Sequence, residues 1–105
     1  MGEAAARRTA LQSTFEDILG SKNVYYQPPE SVKLTYPAIV YSKNTRNTTF
    51  ADDVPYVTKR SYTVTLIYTD PDSELPDKLS ALPKCGFERN FVSDNLYHEV
   101  YVIYE

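Results

Sequence analysis

"VTKRSYTVTLIYTD", Val57 to Asp70, is the stretch on which the fold turns. Tyr62, Val64, Leu66 and Tyr68 alternate with Thr63, Thr65, Ile67 and Thr69, so a strand here sends every second side chain to the same face. Nearly all of these residues are β-branched or aromatic, which predicts a central strand.

Working back towards the N-terminus, "TYPAIVYSK" (Thr35 to Lys43) is the next strand, with Tyr36, Ala38 and Val40 on one face and Ile39 and Tyr41 on the other. Pro37 weakens its first half, having no amide hydrogen for a ladder. Between the two strands lies "NTRNTTFADDVPY", polar, rich in turn formers and longer than a hairpin needs. It reads either as a long loop or as two short ladder segments anchored by Phe50. Further back, "VYYQPPES" (Val24 to Ser31) allows a short strand that Pro28 and Pro29 must end or hold at a sheet edge. The prolines hold the following chain extended and push the preceding Gln27 out of the helical region, so the whole stretch is expected to form a stiff arm. Ahead of it, Leu11, Phe15, Ile18 and Leu19 make one stripe of an amphipathic helix from Ala5 to Leu19. Arg7, Arg8, Gln12, Glu16 and Asp17 mostly take its other sides, and Gly20 ends it.

Towards the C-terminus, "DPDSELPDKLSALP" sets Leu75, Leu79 and Leu82 at helical spacing behind the capping candidates Asp70, Asp72 and Ser73. Pro76 fits only in the first turn, which favours a cap at Asp72 or Ser73, and Pro83 stops the helix. "GFERNFVSD" and "LYHEVYVIYE" are two last strands, joined by a turn near Ser93, Asp94 and Asn95. Helix, strands, helix, strands is the order of an α+β fold: a mainly antiparallel sheet packed by an N-terminal helix and a second short helix. One domain, residues 1–105, accommodates it, with residues 1–6 expected to fray.

Composition narrows the function classes. Apolar residues are 42% and charged residues 24%, ordinary for a soluble globular domain. The longest apolar runs fall far below the ~20 residues of a membrane span. Net charge is −3 and the basic residues are scattered except for Arg7 with Arg8 and Lys59 with Arg60, which gives no continuous basic footprint for nucleic acid. "MGEAAARR" has no apolar signal core, and Ala6 stands where myristoylation asks for Ser or Thr. A lone cysteine, Cys85, forbids an internal disulfide, and with a lone histidine, His98, it forbids a structural zinc site within one chain. Ten tyrosines and no tryptophan suit half-buried sheet faces and covered surfaces.

Catalytic and metal motifs are weak. His98 and Glu99 are strand neighbours and point to opposite faces, so they make a poor acid–base pair. Cys85 follows a helix exit and reads as a small packed residue. Asp70, Asp72 and Glu74 suggest half of a calcium loop, but the required glycine and distant glutamate are missing, and helix capping explains them better. Gly2, Gly20 and Gly86 are too far apart to cradle phosphate. No catalytic residue, cofactor site or metal site is expected. Among the tyrosines, Tyr62, Tyr68, Tyr101 and Tyr104 read as core or half-core, whereas Tyr25, Tyr26, Tyr36, Tyr41, Tyr56 and Tyr97, near breaks and prolines, supply the candidates for an interface.

"VYYQPPESVKLTYPAIVY", "TFADDVPY", "YTVTLIYTDPDSELPDKLSALPKCGFERNF" and "SDNLYHEVYVIYE" together resemble a family of small tailed-phage and prophage proteins, the tail completion, tail terminator or minor capsid proteins of the neck. The resemblance runs from Leu11 to Glu105 and contains no catalytic motif. It implies a tail-terminator-like α+β subunit that forms a hexameric ring on the tail tube protein, meets the head connector or stopper protein, and lets genomic DNA pass without sequence-specific binding. It implies location at the head–tail junction of the virion, with assembly in the bacterial host cytoplasm and no membrane; a head-closure stopper is the alternative position, and a small enzyme the minor one. The interface would use Tyr25, Tyr26, Gln27, Pro28 and Pro29 as a preset arm, and Asn47, Thr48, Thr49, Phe50, Asp52, Asp53 and Tyr56 as a contact loop.

Overall fold

The computed structural model describes residues 3–44, 50–51, 54–55 and 61–104. In chain order the elements are α1 (Glu3–Leu19), β1 (Val24–Tyr26), β2 (Ala38–Lys43), β3 (Phe50–Ala51), β4 (Val54–Pro55), β5 (Ser61–Tyr68), α2 (Leu75–Ser80), β6 (Cys85–Ser93) and β7 (Leu96–Tyr104). Five strands form one sheet in the order β1-β2-β5-β7-β6, and β3 with β4 forms a separate two-stranded ladder. The fold is α+β, with two helices and a mostly antiparallel sheet. The exception is β1, which runs parallel to β2 with Val24 opposite Ile39 and Tyr26 opposite Tyr41.

β5 is the middle strand, as its composition requires. Tyr62, Val64 and Leu66 are at most 2% exposed, and Ile67 on the opposite face is buried as well. Cross-strand register builds rows of side chains on the inner face, such as Tyr41, Val64, Tyr101 and Phe87. Phe15 of α1 and Leu79 of α2 are completely buried against this face, and Leu11, Ile18 and Leu19 pack around them. Complete burial of an aromatic side chain such as Phe15 contributes about 1.5–3 kcal/mol. The stripe read from the helical period is therefore the stripe that meets the core.

Several local expectations are corrected. α1 starts at Glu3, not Ala5. Gln12, assigned to a solvent side, is half-buried: its Oε1 accepts the Tyr41 hydroxyl at 2.5 Å while its Nε2 donates to the Val24 carbonyl at 3.2 Å. Arg8, assigned likewise, lies with its guanidinium 4.7 Å from the Tyr26 ring centre. Long polar side chains can cover apolar surface, which a count of helical faces misses. β2 begins at Ala38, so Pro37 excludes the first half of the expected strand. Gln27 does lie outside the right-handed helical region, with φ 43, a left-handed turn that is rare outside glycine. That turn lets its amide donate to the Tyr41 carbonyl at 2.9 Å, one more bond after the last β1 residue.

Glu74, rather than Asp72 or Ser73, stands at the N-cap position of α2, and its side chain makes no capping hydrogen bond. Pro76 does sit in its first turn. Ser73 Oγ accepts the Leu75 amide at 3.2 Å and Asp70 Oδ1 accepts the Asp72 amide at 2.9 Å, so these side chains shape the entry without capping the helix. The helix ends at Ser80, before Pro83 is reached, and the Leu82 amide bonds back to the Leu79 carbonyl at 3.1 Å. β6 and β7 close through Asp94 and Asn95, both left-handed with φ 54 and 63, the geometry of a two-residue type I′ turn. Tyr104, read as core, is 46% exposed at the end of β7. The polar stretch after Lys43 contains the two short ladder segments, with Phe50 opposite Pro55.

Candidate interaction surface

The arm expected at an interface is engaged with its own subunit. Tyr26 is half-buried between Arg8 and Tyr41, its ring 5.0 Å from that of Tyr41. The Tyr25 hydroxyl accepts the Thr35 amide at 3.4 Å, and Gln27 Oε1 accepts the Lys43 amide at 3.4 Å. Gln27 and Pro29 are exposed and Pro28 is half-buried. Tyr41, another interface candidate, is 1% exposed and belongs to the core. Burial raises its hydroxyl pKa, and Arg8 opposes that rise. Asn47, Thr48, Thr49, Asp52, Asp53 and Tyr56 lie outside the described residues, and Phe50 is placed only by its backbone in β3. The entry to that stretch is fixed: Asn44 donates through Nδ2 to Ser61 Oγ at 2.7 Å and accepts the Thr63 hydroxyl at 2.6 Å.

The opposite end of the sheet is bare. All of β6 after Cys85 is exposed, and Phe87, Phe91 and Val92 are 55%, 43% and 64% accessible. As the last strand of the sheet it offers unpaired backbone N–H and C=O groups along its outer side. Its register slips between Phe87 and Arg89, a bulge around Glu88. Bulges and charges discourage pairing, so the first half of this edge is guarded. From Asn90 to Ser93 the ladder is regular and the residues are uncharged. The half nearest the Asp94–Asn95 turn is therefore the half suited to receive another strand.

Beside that half, β7 and β5 build a polar cluster. Glu99 Oε2 accepts the Tyr68 hydroxyl at 2.5 Å and Oε1 accepts the Tyr101 hydroxyl at 3.2 Å. Burial pushes the Tyr68 hydroxyl well above its ordinary range, and the hydrogen bond to Glu99 and its charge add to the rise. The Tyr101 hydroxyl is pushed up to about 12, first by burial and further by Glu99. Tyr68 and Tyr97 stack with ring centres 5.3 Å apart. Above them opens a pocket of about 250 Å³ lined by Tyr68, Asn90, Phe91, Val92, Tyr97, His98 and Glu99. From residue order Glu99 is paired only with His98; its bond to Tyr68 depends on the register of β5 against β7, which cannot be read locally. The signal available was its place among tyrosines at alternate positions, Tyr97 and Tyr101.

The remaining chemical candidates have structural surroundings. His98 Nδ1 donates to the Leu96 carbonyl at 3.0 Å, and its ring stacks on Phe91 at 4.6 Å. Cys85 is half-buried at the start of β6, and burial pushes its thiol pKa up. Among the described residues no three His, Cys, Asp or Glu side chains come together as a metal site requires, and no helix is long and apolar enough to cross a membrane. No protein-family model, curated protein or solved structure matches the chain.

Proposed function

We propose that this chain is a non-catalytic virion assembly protein of the tailed-phage neck, a ring subunit that caps the tail tube and joins it to the head connector. Two things support the reading: the resemblance along the sequence, and the bare edge of β6. The edge is the observation that carries it, because an uncovered strand with exposed Phe91 and Val92 is a surface made complete by another chain.

A closed ring needs two different complementary surfaces on each subunit. β1 has three residues and β6 has nine, so direct pairing of one edge with the other would leave most of β6 unmatched. The reading therefore assigns the second surface to the contact loop expected from Asn47 to Tyr56, or has β6 receive a strand of a neighbouring neck protein instead of one from a copy. A Phe91→Lys, Val92→Lys double variant adds charge to the receptive half and removes nothing from the core. In the genome that carries this gene, the variant is expected to remain folded while unjoined heads and tails accumulate. Normal yields of joined particles would overturn the proposal.

A further inference from the structure

Among the described residues, Glu99 is a half-buried carboxylate with a tyrosine hydroxyl on each oxygen and no ion pair to any Lys, Arg or His. It opens into the pocket beside β6. We infer that this pocket receives an arginine side chain presented by another protein.

A carboxylate has about four acceptor sites, two on each oxygen. The Tyr68 and Tyr101 hydroxyls occupy one on each, and this leaves one on each oxygen. Two parallel N–H groups of a guanidinium match that remaining pair, whereas an ammonium meets it as a single point. The hydroxyls also hold the carboxylate still, so little order is lost when the fork docks. Tyr68 and Tyr97 provide aromatic faces at the wall, and a cation over such a face is attracted to it. The chain already makes this kind of contact between Arg8 and Tyr26. A volume of about 250 Å³ suits one side chain and is below the usual range of small-molecule sites. A net charge of −3 favours the approach of a basic partner.

The inference does not rest on the assembly reading, because it concerns any partner that offers an arginine. The test is an amide-resolved NMR titration of the full isotope-labelled chain with N-acetyl-arginine amide, N-acetyl-lysine amide and the neutral isostere N-acetyl-citrulline amide. Shifts confined to the amides of Asn90 to Val92, Tyr97 to Val100 and Tyr68 are expected, with arginine at least about fivefold tighter than lysine and no response to citrulline. Glu99→Gln should weaken arginine binding at least about tenfold. Asn90 faces Glu99 across the β6–β7 ladder from an exposed position, so Asn90→Lys brings an ammonium to the carboxylate and should block the site without disturbing the core. Should Glu99→Gln fail to fold, Asn90→Lys decides the matter. Shifts located elsewhere, equal binding of lysine or citrulline, or unchanged affinity in a folded variant would overturn the inference.

Discussion

At one end of the sheet β1 offers three residues, followed after Gln27 by Pro28 and Pro29, with Arg8 of α1 laid over Tyr26. At the other end β6 offers nine, eight of them exposed, closed by a turn and guarded in its first half by the bulge and the charges of Glu88 and Arg89. Both edges are rich in aromatic residues. Aromatic content therefore does not separate an edge that its own subunit covers from one left for a partner. What separates them is how far a helix side chain reaches over that edge: Arg8 of α1 lies over Tyr26 of the first, whereas α2 packs against β6 and still leaves every residue after Cys85 exposed.

The largest expected difference between the two regions is energetic. Phe15→Ala on the covered side should cost about 3–5 kcal/mol, because the side chain is completely buried. Phe87→Ala should cost no more than about 1.5 kcal/mol, since the ring is 55% exposed and keeps mainly its edge contact with Tyr101. Urea unfolding curves of the two variants decide it, and equal losses would mean that the β6 side is as well covered as the other. A smaller effect should appear at alkaline pH. Tyr68 and Tyr101 have folded pKa values above their unfolded value near 10, so the stability they provide is complete below about pH 10. It is lost as the pH climbs through about 12 for Tyr101. Melting temperatures measured from pH 8 upwards, about 0.5 apart, should fall beyond about pH 10, and Glu99→Gln should reduce the fall by removing the carboxylate charge. An identical decline in that variant would remove Glu99 from the explanation. The smallest effect concerns the turn. Asn95→Gly places glycine at φ 63, where it carries no steric penalty, and should raise stability by a few tenths of a kcal/mol in the same urea assay.

Legibility followed the range of the interactions. The alternation through Tyr62, Val64 and Leu66 and the stripe through Phe15 arise from the chain's own repeat, and both were readable from residue order alone. Asp94 and Asn95 were readable for the same reason, since two residues specify the turn. Gln12 and Arg8 were misplaced because polarity was taken to mean solvent, whereas each finds a partner only once β1 and β2 lie alongside α1. Tyr41 was drawn to the interface by the nearby proline, and its burial depends on Phe15 arriving from a distant helix. The Glu99 cluster needs the register of β5 against β7 before Tyr68 can reach it. No local pattern encodes that register.

Successive strands of a sheet are rotated by about 20–25°. The four steps from β1 to β6 thus bring the outer strand to roughly a right angle with the first. A strand added to β6 would extend crosswise to β1, and copies joined by this edge would climb like a spiral stair unless some other contact tilts them back into one plane.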